Sequence, residues 1–475
     1  MSGSTHIIGK QNFRFRYKGN ADALAIRNQL SNMCNDELPV RLNKLFDDYD
    51  QADQVLRIDK LDIKVELTDS DNLHDALVKA ILSQVEIALK SKLQEPGTSS
   101  LSFDQSFIKA LNFYLFNGYL PWWISYKTSQ AFLQELEIHW ETPFIEKLLL
   151  LIRPALASED ARNRFNALLN KKQWLDLIEQ GGSISNTEWK EWLISLQQLN
   201  TCLSPVQNTE YLERLSQLSL LELIAETVPN TIDLKSLKRI FFDKLGEKGI
   251  QPDIAALKAR NANTIPQILK FALEEWAIRL SNEPSLTEKK KKVDEQLKKK
   301  AEEKKATQIP DTLGILVHNS GMVILAPFLP EFFRRQLLLE NNVITDIPKA
   351  LALLRHLSWG QSVGLEFELV LEKTFCGIAL SETIEPLSSL NEVEINACEE
   401  LLQSIIENWP VLKNTSPDGL RMNFLQREGK LEILEQQKTL IIQKEAHDIL
   451  LDYISWNISM IKLPWMDQLL NIKWR

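Results

Sequence analysis

At 475 residues the chain is about three times the ~150 residues of a typical domain, so two to four domains are expected. With 44% hydrophobic and 25% charged residues its composition is that of an ordinary globular protein, which excludes collagenous, mucin-like and mostly disordered chains. Sixty-four acidic against 55 basic residues give a net charge of -9, which argues against nucleic acid or an anionic membrane as the main partner.

The first twenty residues lack the apolar core and small-residue cleavage site of a secretory signal, so general export is not expected. From Asn12 to Tyr17 the residues alternate, with Phe13, Phe15 and Tyr17 on one face and Arg14 and Arg16 on the other, which predicts a half-buried strand. A second alternation, Leu61, Ile63, Val65 and Leu67 against Asp62, Lys64 and Glu66, predicts a strand that pairs with the first. Between them lie helices over 21–34 and 36–49. After Asp71, an N-cap type, Leu73, Leu77, Ile81 and Val85 recur at helical spacing and predict a helix to residue 93. Residues 1–95 therefore read as a small α+β domain.

The run EPGTSS at 95–100 is a turn-rich break, and beyond it strand-like alternation nearly vanishes. Pro121, Pro143, Pro154, Gly181, Gly182, Pro205, Pro229, Pro252 and Pro266 cut residues 96–284 into segments of helix length, a helical middle region without a fixed repeat. Trp122, Trp123, Trp140, Trp174, Trp189 and Trp192 stand at helical spacing and are expected in its core. Apolar runs such as 148–152 are interrupted well before the ~20 residues of a membrane helix, so no membrane insertion is expected.

Residues 285–309 form a Lys-rich linker. Within 285–307 nine lysines face five acids, and removing this net +4 leaves the rest of the chain at -13. The strip has no arginine and no aromatic residue to stack on bases, and its acids are interspersed, so it reads as a solvated tether and only secondarily as a contact for an anionic partner surface. From Pro310 a second α+β domain, 310–475, is expected. It has a hairpin from Leu431 and Ile433 to Leu440 and Ile442, helices over 351–357, 398–409 and 446–453, and a closing strand with Leu470, Ile472 and Trp474 on one face. The fold class is thus α+β, predominantly α-helical.

No residue pattern announces chemistry. Cys34, Cys202, Cys376 and Cys398 form no C-x-x-C pair and the six histidines stand singly, so no metal site is read. Neither glycine-rich phosphate loop occurs, nor a G-x-S-x-G elbow. His318 and Cys376 could be paired on paper as base and thiol, yet cysteines of this kind are usually buried and inert. No catalytic residue, cofactor or metal is assigned, and a non-enzyme is expected.

The C-terminal region carries an ordered series of motifs: HNSGMVILAPFLP at 318–330, FF at 332–333, ALALL at 350–354, WG at 359–360, ELVLEK at 368–373 and CG at 376–377. NWP at 408–410, NTSPDGLR at 414–421, FLQREG at 424–429 and IKLPWM at 461–466 complete it. On these motifs the chain resembles the contractile injection system tape measure proteins of phage-tail-like particles. Residues 6–67, with IDKLDI at 58–63, look like the N-terminal region of the same family, so about half of the chain is covered.

The resemblance implies a structural or assembly component, acting in the bacterial cytoplasm with tube, baseplate or cap proteins. Its family name implies a ruler that sets inner-tube length. A wholly helical chain would span at most ~710 Å, at about 1.5 Å per residue. Here 18 prolines and two α+β ends interrupt any rod, so a globular baseplate- or cap-associated adaptor is the alternative within the family. Nucleic-acid or membrane-surface binding through the Lys-rich strip is a distant alternative, and an enzymatic effector has no legible constellation. In the final segment Pro464, Trp465, Met466 and Trp474 are the candidate protein-interaction residues, the competing reading being that they fill the domain's own core.

Overall fold

The computed structural model describes residues 6–9, 11–16, 22–50, 54–58, 60–66, 73–94, 99–124, 126, 128–181, 184–200, 203–204, 208–226, 232–252, 314–412, 414–434 and 437–474. The Lys-rich stretch 285–309 lies outside them. The chain is α+β and predominantly helical, and it divides into two compact units, residues 1–109 and 110–475.

In the first unit Asp22 caps α1 (Ala23–Asn32) by accepting the Leu24 amide at 3.0 Å. A single π-turn, Met33–Glu37, leads into α2 (Leu38–Asp47), whose Pro39 sits in the first turn, where its missing N–H costs nothing. Met33, Leu38 and Leu42 pack against Leu77, Val78, Ile81, Val85 and Leu89 of α3 (Leu73–Gln94), one stripe of apolar residues three and four apart. The strand pair of this unit is β1 (Gln54–Arg57) with β2 (Ser99–Ser102), antiparallel, Gln54 opposite Ser102.

This corrects the expected pairing of residues 12–17 with 61–67. Tyr17 and Leu67 lie outside the described residues, and 11–16 and 60–66 carry no hydrogen-bonded ladder. Both retain extended alternation: the rings of Phe13 and Phe15 stack 6.0 Å apart, and Lys60–Asp62 and Lys64–Glu66 pair two residues apart at 2.7 and 2.5 Å. Alternation records the face each side chain takes, while a ladder needs a partner backbone about 4.8 Å away, which the pattern does not name.

In the second unit α4 (Phe103–Asn117), which straddles the division, is followed by α5 (Ser129–Ile138), α6 (Thr142–Leu156), α7 (Glu159–Leu168), α8 (Lys171–Gly181) and α9 (Asn186–Asn200). Next come β3 (Leu203–Ser204), α10 (Thr209–Glu226), α11 (Leu234–Glu247) and β4 (Gln251–Pro252), which pairs with β3. Pro154 was expected to end a segment but stands inside α6. It falls in the last turn, and the Leu150 carbonyl that loses its donor belongs to a residue 75% exposed. Of the six tryptophans expected in the core, Trp174, Trp189 and Trp192 are buried and Trp122, Trp123 and Trp140 only half-buried; Trp192 donates its indole N–H to Ser216 Oγ at 3.1 Å and meets the Phe241 ring edge-on at 5.2 Å.

Beyond residue 313 a five-stranded sheet runs in the order β10-β11-β9-β8-β5, built from β5 (Ile315–Val317), β8 (Gly429–Leu434), β9 (Gln437–Ile442), β10 (Met460–Ile461) and β11 (Leu470–Lys473). A separate short hairpin joins β6 (Leu339–Glu340) to β7 (Val343–Ile344). All pairings in the larger sheet are antiparallel except β11 with β9. Ile315, Leu431, Leu440 and Ile472 stand in register across four strands, so one pleat row faces the core as the period-two reading expects. Around the sheet lie α12 (Leu329–Arg335), α13 (Ile347–Trp359), α14 (Val370–Phe375) and α15 (Glu392–Asn408). The last begins ahead of the expected residue 398 because Asn391 and Glu394 form a reciprocal capping box. Residues Ala446–Tyr453 are helical but of the tighter 3-10 kind.

The motif at 318–330 becomes β5's exit and a 3-10 helix, Ser320–Phe328, in which every residue from Ser320 to Ala326 is buried. Its polar groups are met from the other end of the chain: the Ser320 amide and hydroxyl both donate to the Arg427 carbonyl, at 2.9 and 2.8 Å. Gly321 lies so close to the backbone of Phe424 that a Cβ would stand 1.7 Å from its carbonyl oxygen. Gly321→Ala is therefore expected to destabilise the protein by about 3 kcal/mol or more in urea titration, as backbone and not a flexible side chain must move; an unchanged midpoint would contradict the close approach.

Candidate functional site

Arg164 stands in the middle of α7, on the face that carries Ala161, Phe165 and Leu168. It is 2% exposed. Its Nε and Nη2 donate to Glu366 Oε2 and Oε1 at 3.1 and 3.0 Å, a bidentate pair, while Nη1 donates to the Leu115 carbonyl at 2.8 Å and Nη2 also to that of Ser381 at 2.6 Å. Lys373 of α14 completes the group, donating to Glu366 Oε1 at 2.8 Å, to the Leu380 carbonyl at 2.9 Å and to that of Glu382. Burial pulls the Lys373 ammonium below its ordinary range, with Glu366 opposing the shift. Four carbonyls thus neutralise what one carboxylate cannot.

Gly118 fits this cluster and nothing larger would. Its φ is +81°, and a Cβ there would stand 2.4 Å from the Leu380 carbonyl and 2.6 Å from Glu366 Oε1. Around the charges Phe367 meets the rings of Tyr114 at 5.7 Å and Phe132 at 5.3 Å, and Thr383 donates its hydroxyl to Asp160 at 2.6 Å. The helical residues of the middle region and residues 366–383 are in this way stitched together by polar and aromatic contacts.

A second buried set lies beside it. Arg355 of α13 donates to Glu368 Oε1 at 2.8 Å and lies 4.7 Å from the centre of the Trp359 ring. Asn319 donates to Glu372 Oε1 at 2.8 Å, and Glu372 Oε2 has no hydrogen-bond partner among the described residues. Burial pushes the Glu372 carboxyl up to about 7, against the pull of Arg355. A cavity of about 30 Å³, lined by Tyr126, His318, Asn319, Arg355, Trp359 and Glu368 among others, has room for about one water.

His318 and Cys376, the pair considered as base and thiol, are each engaged otherwise. His318 Nδ1 lies 2.6 Å from Glu428 Oε2, and burial pushes the Cys376 thiol up, away from the reactive thiolate. Among the described residues no group of three or more His, Cys, Asp or Glu is placed to hold a metal ion, and no helix is long and apolar enough to cross a membrane.

The four candidate interaction residues do not share one surface. Pro464 is exposed; Trp465 is half-buried, donating its indole N–H to the Phe375 carbonyl at 2.7 Å and stacking on Phe333 at 5.3 Å; Met466 and Trp474 are core residues. Trp474 packs in the same apolar core as Trp465 but has other polar partners, donating to Asp448 Oδ2 at 3.2 Å while Asp448 Oδ1 lies 3.1 Å from Arg427.

A family model of contractile injection system tape measure proteins matches residues 5–474. The chain belongs to that family. The match takes in the helical middle, where the motifs were sparse, and so includes Arg164 as well as Glu366. No curated protein and no solved structure matches the chain. Of the charged groups above, Glu368, Glu372, Lys373, Arg427 and Glu428 stand inside family motifs quoted from the sequence. Arg164, Arg355 and Glu366 do not; the spacing of α7 puts Arg164 on its apolar face, but nothing local names its partner.

Two measurements check this geometry. Trp465→Ala is expected to cost ~3–5 kcal/mol, seen as a lowered melting temperature, and a variant that melts normally would contradict its packing role. Glu372 keeps its proton in the folded state between pH ~4.5 and ~7, where the unfolded chain has lost it, so its contribution to stability falls as pH rises through that window. The stability of Glu372→Gln relative to the parent should therefore rise by about 3 kcal/mol between pH 4.5 and 8, a difference that cancels other titrating groups. A pH-independent difference would show that the carboxyl is ionised in the fold.

Proposed function

We propose that this member of the tape measure family is a compact assembly component of the injection particle, an adaptor docking on baseplate, cap or tube proteins, and not an extended ruler. One observation supports this reading: Arg164 and Glu366, separated by 202 positions in sequence, meet as a buried bidentate pair. A ruler turns chain length into contour length, about 1.5 Å per helical residue. A segment whose two ends are held in one core spans no such distance, and releasing it would leave buried charges without partners, at a cost of roughly 3–5 kcal/mol.

The reading is structural and non-enzymatic. Among the described residues the Arg164–Glu366–Lys373 cluster is paired inside the fold, and no accessible acid, base and nucleophile converge. The chain would work in the bacterial cytoplasm, where the particle is built, with protein partners only.

Deletion of the protein is expected to leave sheath and tube subunits expressed but to stop assembly of uniform particles, judged by purification and negative-stain imaging. Normal particles from the deletion strain would overturn a required assembly role. Lengthening residues 96–309 by whole helical turns is expected to leave tube length unchanged. A proportional change in length would establish the ruler instead.

A further inference from the structure

We propose that residues 11–16 are an unpaired strand that takes up an acidic strand from a protein partner. The Phe13 and Phe15 rings stack 6.0 Å apart, 10° from parallel, which puts them on one side as in an extended chain, and the alternation assigns Arg14 and Arg16 to the other. Among the described residues of its own unit nothing packs on the aromatic side. Phe13 and Phe15 are 41% and 40% exposed and take no part in the apolar core of residues 1–109, whereas Leu61 and Val65 of the other extended segment pack on that core. Among the described residues no strand is hydrogen-bonded to 11–16 and no carboxylate pairs with Arg14 or Arg16. The chain is nonetheless anchored just before this point, where His6 Nε2 lies 2.8 Å from Asp47 and its ring meets Phe46 edge-on at 5.6 Å.

An extended segment with free amides and carbonyls is a template for strand addition, in which the backbone supplies affinity and alternate side chains supply selectivity. Charge names the occupant. Lys10, Arg14, Arg16 and Lys18 are the only charged residues among positions 1–21, a basic edge on a chain of net charge -9. Directly opposed residues on paired strands stand ~5 Å apart at Cβ, where like charges repel and opposite charges attract. The same strand of a second copy would set arginine against arginine, so a strand alternating acidic and apolar residues is selected. The aromatic–arginine alternation also suits single-stranded nucleic acid, but the two rings already stack on each other, and an inserted base would have to part them.

The test uses the full-length protein and a labelled peptide of four Val-Glu repeats, with a Val-Lys peptide of equal length as control. Fluorescence anisotropy is expected to show the acidic peptide binding at least ten-fold tighter, weakening with salt, and hydrogen exchange at residues 12–16 is expected to slow at least ten-fold in its complex only. The double variant Arg14→Glu, Arg16→Glu changes exposed side chains alone and should reverse the preference, its fold checked by circular dichroism. Equal binding of the two peptides, unchanged exchange at 12–16, or tighter binding of oligothymidylate than of the acidic peptide would each overturn the proposal.

Discussion

Two cations and one carboxylate buried together are the constraint on which residues 110–475 depend. Each ion withdrawn from water costs several kcal/mol even after relaxation, and the Arg164–Glu366 attraction offsets this only if the remaining donors also find acceptors. They do, on the carbonyls of Leu115, Ser381, Leu380 and Glu382. The end of α4, the middle of α7, the start of α14 and the loop after it must therefore all be in place at once. Gly118 is the backbone's part of the same bargain, leaving the space that the charges occupy.

Buried arginines repeat the device elsewhere in the unit. Arg421 donates to the Leu357 carbonyl at 3.2 Å, to Asp418 at 2.8 Å and to Glu399 at 3.2 Å, tying α13 to α15 through a segment that belongs to neither. Arg427 reaches the Asn423 carbonyl at 2.7 Å and Asp448, and so sets the ground on which Trp474 rests. Bidentate, planar donors suit such junctions because their geometry is fixed before they are buried. The result is a body in which distant stretches are locked by directional contacts as well as by apolar packing.

That body bears on how a tape measure family member can act. The helices from α5 to α11 carry their tryptophans inward, and Arg164 of α7 is held by Glu366 beyond them in sequence. The small unit at residues 1–109 is different in kind. It buries one narrow apolar stripe and leaves Phe13, Phe15, Leu24, Val40 and Ile87 exposed.

Much of the secondary structure was legible in the sequence, because helix and strand periods depend on backbone geometry over a few residues. The helices of the first unit, the 431–442 hairpin and the inward face of β11 follow from spacing alone, and the ordered motifs from His318 to Met466 sufficed for the family. What the tertiary structure decided were the partners. Residues 12–17 alternate like a strand, yet the ladder formed at Gln54–Arg57 with Ser99–Ser102, since a period of two states which way side chains point and is silent on which backbone lies alongside. Arg164 falls on the helix face of Ala161, Phe165 and Leu168, but only the fold brings a carboxylate 202 positions away to within 3.1 Å of it. Charges pair over a few ångströms of space, and no local pattern encodes that proximity.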